Sequence, residues 1–185
     1  VLVPIWKRKG AQTDRGNYRG VTLLTYVRKA HAWLTMRPVK DWFEENMPEA
    51  QAGARPGRGT RDNLVVLRVL QEIAEHKRRP FCTAFLDIVK AFDAIPRDVL
   101  FKVLRRYGLP EKTVALLVDL HTGTSCRVRV GGAYSGEVRT EGGVQQGAYE
   151  STFMFNLFLA CCLESVVPDL RELGVTFEHN KTASN

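Results

Sequence analysis

Residues 85–95 read FLDIVKAFDAI, an apolar run that carries two carboxylates, Asp87 and Asp93. A charge in such a run is costly to bury unless something pairs with it. Two readings of Asp87 stand side by side. As a strand-end aspartate it caps the turn that follows. As an oxygen donor at the end of a rigid strand it suits Mg²⁺. Phe92 either walls a pocket beside it or packs into the core. Asp93 precedes a helix opened by Pro96, and its expected role is to cap that helix.

The cations are clustered. Arg55, Arg58 and Arg61 recur every third residue, Lys7, Arg8 and Lys9 are contiguous, and so are Lys77, Arg78 and Arg79. Arg127 and Arg129 fall on one face of an expected strand. With a formal net charge of +7 over 185 residues, the chain favours a polyanionic partner. The four cysteines form no C-x-x-C pair and the four histidines are scattered, so zinc-site spacing is missing. Three of the cysteines lie in apolar segments and are expected to be reduced core thiols of an intracellular protein. No apolar run is long enough to span a membrane, so no membrane partner is expected. The first residue is Val1 rather than Met, and the sequence reads as a piece of something longer.

A composition of 44% hydrophobic and 25% charged residues is enough for a sizeable core. VLVPIW and VTLL read as short strands, separated by KRKG and the turn chemistry of DRGNYRG. Over 26–46, Val27, Ala30, Leu34, Val39 and Phe43 have roughly helical spacing, with Pro38 expected to kink or split the helix. A Gly/Pro/Arg loop follows. Thr60 is expected to cap a helix with Leu64, Leu67, Leu70, Ile73 and Ala74 as its apolar stripe. FCTAFLDI reads as a strand with Phe81, Thr83, Phe85 and Asp87 on one face. Helices follow Pro96 and Pro110, the first closed by Gly108. CRVRVGGAYSGEVRT reads as a hairpin around Gly131-Gly132. EGGVQQG is a loop, STFMFNLFLACCLESV an apolar helix, and residues 168–185 a weakly patterned tail. The expected fold class is α+β, a mostly antiparallel sheet with helices packed on one side.

Several segments together resemble one family. AFLDIVKAFDAIPRDVLFKVLRRYGLP is similar to the first catalytic segment of reverse transcriptases from non-LTR, LINE-like retrotransposons. LVPIWKRKG with NYRGVTLL, QAGARPGRGTRDNL, and GGVQQGAYESTFMFNLFL resemble further segments of that family, in its order, over about residues 1–165. The resemblance implies a right-hand polymerase, with residues 1–80 fingers-like and 81–167 a partial palm. It implies nucleotidyl transfer with two metal ions, Mg²⁺ or alternatively Mn²⁺, on an RNA template, a DNA primer and a dNTP. Asp87 would ligate metal, helped by the Ile88 carbonyl. Phe92 would crowd a 2′-hydroxyl. Arg19 with Lys7 or Lys9 would hold the triphosphate, and Gln146-Gly147 would lie beside the incoming nucleotide. Arg55, Arg58 and Arg61 would contact template or primer phosphates. Ser151, Phe155 and Asn156 match as well, Phe155 equally as a core residue. The compartment implied is nucleus or cytoplasm.

The sequence also departs from the family. Ala54 stands where an aromatic is usual, Gln145 replaces a common basic residue, and Glu150 brings an acid towards a polyphosphate site, where it should repel. No Asp-Asp occurs anywhere, so the second carboxylate segment is missing. The expectation is a domain truncated before that hairpin, lacking the rest of the palm and the thumb, and unable to polymerise alone. The alternatives are a nucleic-acid-binding remnant without chemistry, a poorly folding relic, or a reverse transcriptase of the group II intron or retron type.

Overall fold

A computed structural model describes residues 1–173 of the chain. Strand β1 (Leu2–Trp6) pairs antiparallel with β2 (Tyr18–Thr22), Leu2 opposite Thr22 and Trp6 opposite Tyr18. The intervening turn is held by Asp14, whose carboxylate accepts from the Gly16 N–H at 2.8 Å, and by Asn17, which donates to the Ala11 carbonyl at 2.9 Å. Helix α1 (Tyr26–Met36) starts at Thr25, whose hydroxyl accepts from the Arg28 N–H. Pro38 splits the helical stretch as expected. One 3₁₀ turn, Arg37–Val39, separates α1 from α2 (Lys40–Asn46).

Helix α3 (Thr60–His76) follows the Gly/Pro/Arg loop. Its cap differs from the expected Thr60: the Asp62 carboxylate accepts from the Gly59 N–H at 2.8 Å. Helices α4 (Arg97–Arg106) and α5 (Glu111–His121) are each entered from a proline, whose fixed φ suits a helix start. Gly108, at φ +85°, lets the chain leave α4. Two nested antiparallel pairs come next: β3 (Ser125–Cys126) with β6 (Val138–Arg139), and β4 (Arg129–Val130) with β5 (Ala133–Tyr134). Gly131 and Gly132 both have positive φ, the requirement of a tight two-residue hairpin turn. The long α6 (Tyr149–Leu173) runs into the stretch expected to be a weakly patterned tail. The remainder of that tail lies outside the described residues.

Helices α1, α4, α5 and α6 pack on one another around Met36, Leu100, Leu104, Val114, Leu117, Met154 and Leu157. Helix and antiparallel strand coexist as expected, but the layering differs. Among the described residues the strands form three separate two-stranded sheets, and the core lies between helices rather than against one sheet. The expected strand over 81–88 is absent. That stretch has no ladder partner among the described residues, and Phe85 and Leu86 are 82% and 88% exposed. An alternating apolar run becomes a strand only where another strand takes its N–H and C=O groups. Likewise only Ala74 of the α3 stripe is buried. The cysteines are free thiols, but none is buried, which corrects the core-thiol expectation.

On α1 the buried residues are Ala32, Thr35 and Met36, not Val27, Ala30 and Leu34. The reason is polar. Arg28 turns inward and meets Glu150 of α6 at 2.5 Å, and His121 of α5 lies 3.8 Å from the same carboxylate. Glu150 is 0% exposed. The expected repulsion of phosphate by Glu150 is therefore replaced by a buried pair with Arg28. His121 donates from Nδ1 to the Leu117 carbonyl, 2.8 Å away, which places the proton on Nδ1. Burial pushes the His121 pKa below its ordinary value, and Arg28 and Arg97 act in the same direction while Leu117 and Glu150 oppose.

Arg28→Met leaves the Glu150 carboxylate buried without a cation and costs about 3–5 kcal/mol of stability, whereas Arg28→Met with Glu150→Leu recovers most of it. Urea unfolding midpoints of both variants against the parent measure this. His121 generates a pH effect of definite sign. Its folded pKa is lowered, so below about pH 6.5 the unfolded chain binds the proton first and stability falls. The contribution is intact above that pH. His121→Asn flattens the difference between midpoints measured at about pH 7.5 and about pH 5.5.

Candidate active site

A cavity of about 640 Å³ opens between the β1–β2 hairpin, the stretch 87–93 and the loop before α6. Its walls carry Lys7, Lys9 and Arg19 from the hairpin, Asp87, Ile88 and Phe92 from the middle of the chain, and Gln146 from the loop. Three segments far apart in sequence thus bring seven of the singled-out residues to one place. Gly147 lies on the neighbouring face, lining a second depression with Phe92 and Gln146.

Local bonding explains how each wall is positioned. The loop 140–148 is tied to the stretch before α4 by Val144 N–H to the Phe92 carbonyl at 2.8 Å and Gly143 N–H to the Ile95 carbonyl at 3.0 Å. Arg97 adds three bonds, to the carbonyls of Gly143, His121 and Thr140 at 2.6–2.7 Å. Burial lowers the Arg97 pKa, but a guanidinium remains charged. On the other side, the Thr22 N–H donates to the Gln146 carbonyl at 2.9 Å. Gly147 has φ +105°, and a Cβ there would meet the Thr22 carbonyl oxygen at 3.1 Å, so a side chain is excluded on both counts. Phe92 stacks on Phe155 of α6, centroids 5.1 Å apart and planes at 19°. The stack gives Phe155 a wall-supporting position at the edge of the core.

The cations divide into held and free. The Lys7 ammonium donates to the Gly16 carbonyl at 2.9 Å. Lys9 and Arg19 are exposed and enter no ion pair among the described residues. The arginines of the Gly/Pro/Arg loop behave differently. Arg55 is 8% exposed and donates to the Glu44 carboxylate and to the carbonyls of Glu44, Pro48 and Gln51 at 3.0–3.1 Å. It staples the loop to α2 and is not presented to a phosphate. Arg58 clasps the Glu49 carboxylate with both terminal nitrogens. Only Arg61 of the three is exposed without an ion pair among the described residues. Asn156 of α6 completes the loop's anchoring by donating to the Gly53 carbonyl at 2.7 Å.

Seven further residues line the cavity without having been singled out for it, among them Arg15, Tyr18, Lys90 and Asp93. Asp93 corrects an expectation. Helix α4 has no side-chain cap, and Asp93 faces the cavity instead. Lys90, at φ +51°, starts a tight turn whose carbonyl accepts from the N–H groups of Asp93 and Ala94 at 2.8 and 2.9 Å. That turn brings Asp87 and Asp93 to the same cavity. The i to i+6 spacing of the two acids was a visible signal, masked by the plausible capping role. For a divalent cation, Asp87, Asp93 and the Ile88 carbonyl supply oxygen donors of the right chemical type. No group of three acidic, histidine or cysteine side chains fit to hold a metal occurs among the described residues. The donors present therefore do not make up a two-metal site.

Comparison with known proteins places the chain in a family. A family model described as reverse transcriptase (RNA-dependent DNA polymerase) matches residues 6–183. The chain is 25% identical over 168 residues to the "Retrovirus-related Pol polyprotein from type-1 retrotransposable element R2" of Popillia japonica, covering 89% of this chain and 23% of that protein. It is 27% identical over 125 residues to the corresponding polyprotein of the type-2 element R2DM of Drosophila melanogaster, 68% of this chain and 12% of that one. The "Transposon TX1 uncharacterized 149 kDa protein" of Xenopus laevis is 26% identical over 156 residues, 84% and 12% respectively. The chain spans less than a quarter of the length of these relatives. It belongs to the reverse transcriptase (RNA-dependent DNA polymerase) family, as a reverse transcriptase domain of the non-LTR retrotransposon kind.

Proposed function

We propose that the cavity is the nucleotide side of a reverse transcriptase active site. The observation that carries this is the convergence of Lys7, Lys9, Arg19, Asp87, Ile88, Phe92 and Gln146 on one cavity of about 640 Å³. In this reading residues 1–80 are the fingers-like part of a right-hand polymerase and 81–167 part of its palm. Arg19 and Lys9, exposed and outside any described ion pair, hold the triphosphate; a guanidinium matches phosphate oxygens in pairs. Lys7 reaches the phosphates by exchanging its carbonyl bond to Gly16. Phe92, braced by Phe155, crowds the sugar 2′-carbon and favours a deoxyribonucleotide. The Gln146-Gly147 backbone lets the base and sugar approach closely.

Reverse transcriptases use divalent metals, and Asp87 with the Ile88 carbonyl is the part of such a site that these residues supply, with Asp93 nearby. RNA template, DNA primer and dNTP are the partners this reading requires. Arg61 remains a candidate for backbone phosphate, while Arg55 and Arg58 act by shaping the loop.

The direct test is binding of a fluorescent dNTP to the purified chain. Arg19→Ala weakens it about tenfold or more, and Phe92→Val brings the affinities for the ribo- and deoxyribonucleotide forms together. Unchanged affinity in Arg19→Ala overturns the triphosphate assignment. A second prediction concerns turnover. With no second carboxylate pair in its sequence, the chain alone leaves primer extension on a primed RNA template at background in Mg²⁺ or Mn²⁺, because loss of catalytic carboxylates costs orders of magnitude. Metal-dependent extension abolished by Asp87→Ala would overturn that prediction.

A further inference from the structure

Two bridges join the same pair of segments. The first is made by the backbone, where the Thr22 N–H donates to the Gln146 carbonyl at 2.9 Å. The second lies a little further along each segment, where Arg28 of α1 meets Glu150 in the first turn of α6. Thr22 ends β2, the strand that carries Arg19, and Gln146 stands in the wall of the nucleotide cavity. The two bridges therefore clasp the hairpin to the loop from successive positions.

The second bridge is contested. Two side chains that can carry positive charge reach the buried Glu150 carboxylate, Arg28 at 2.5 Å and His121 Nε2 at 3.8 Å. His121 spends its Nδ1 proton on the Leu117 carbonyl. The neutral ring therefore has only a lone pair at Nε2, and the imidazolium alone can donate to Glu150. The remaining charged group facing this ring is Arg97 of α4, which holds the His121 carbonyl; the ring of Phe101 makes an uncharged wall. Arg28 Nη1, His121 Nε2, Glu150 Oε2 and Ser151 Oγ are all buried without a hydrogen-bond partner among the described residues. Interior polar groups left half satisfied are held less firmly than a fully bonded network.

The two claimants differ in freedom. The Arg28 side chain is 17% exposed and has a way out to water, whereas that of His121 is 0% exposed. Like charges on one carboxylate repel, so when His121 takes a proton Arg28 is the group that can leave. We infer that Glu150 is a positioning residue shared between Arg28 and His121, and that a proton on His121 draws it from Arg28, loosens the clasp between the Arg19 hairpin and the Gln146 loop, and weakens nucleotide binding in acid. None of the three touches the ligand. The inference rests on reading the cavity as a nucleotide site. Burial lowers the His121 pKa, which puts the response below the ordinary histidine value of about 6.5. By linkage, bound nucleotide makes His121 harder to protonate.

The test uses the full chain. In the parent, binding of a fluorescent dNTP weakens about tenfold between about pH 7.5 and about pH 5. His121→Asn keeps a donor for Leu117 but nothing there that titrates, and its binding weakens no more than about twofold over that range. Glu150→Gln removes the charge that both side chains compete for and flattens the profile too. A profile as steep in these variants as in the parent overturns the inference, because the loss then belongs to the nucleotide phosphates or to other groups. So does a flat profile in the parent. Amide NMR supplies a readout that needs no nucleotide: the Thr22 and Gly147 cross-peaks shift with the midpoint of the His121 ring protons in the parent and stay in place in His121→Asn. Cross-peaks that stay while His121 titrates overturn the inference. So does a His121 that titrates only as the chain unfolds, which circular dichroism at each pH detects. If the cross-peaks follow His121 in a chain that binds no dNTP at any pH, the clasp stands and the nucleotide assignment falls; dNTP binding with a flat profile removes the clasp alone.

Discussion

The loop 140–148 is where the whole arrangement is held in register. It touches three bodies at once. Arg97 binds three carbonyls, that of His121 at the end of α5 and those of Thr140 and Gly143 in the loop itself. Two backbone bonds join the loop to the stretch 92–95, and one joins it to β2. Gly143 fits because a Cβ would collide with the Asp93 backbone at 2.7 Å. Remove this junction and the hairpin that carries Arg19 loses its only described bond to the loop that carries Gln146. The cavity is therefore a product of backbone hydrogen bonding, and its side chains are mounted on a frame that packing alone would not fix.

The electrostatics follow from where the acids are spent. Glu150 is neutralised inside the helix bundle by Arg28, Glu44 and Glu49 are taken by Arg55 and Arg58, and Glu137 faces Arg127 and Ser125. Among the described residues Lys9, Arg19 and Arg129 stand outside such pairs, so three positive charges are left where an anion can reach them.

Local signals were legible in the sequence, and distant ones were not. Pro38 acts through its missing N–H and its ring, Gly108 and the Gly131-Gly132 pair through positive φ, so their effects on α1, α4 and the hairpin could be read without a fold. The convergence of three basic residues, Asp87, Phe92 and Gln146 was accessible only through the resemblance to a family, since nothing in their spacing brings them together. The inward face of α1 was misread because an arginine seven residues before Thr35 reaches an acid on α6, and hydropathy counts both as surface residues. Arg55 was misread for the same reason: periodic arginines suggest an anion, but the carbonyls that collect Arg55 come from a neighbouring turn. The α3 stripe and the 81–88 run were read correctly as apolar. What the pattern could not state was whether a partner surface would be present to cover them.

That uncovered run has a further consequence. Phe81 to Ile88 is a low-charge, largely apolar segment outside any helix or strand, with its backbone groups in no ladder among the described residues. Those are the conditions under which strands of separate molecules add to one another. Asp87 is the single charge within it, and so it has a second duty as a gatekeeper against self-association. A polymerase site has to lie open to a long polymer. The same openness exposes the segment to another copy of itself, and substitutions that neutralise Asp87 would lower solubility.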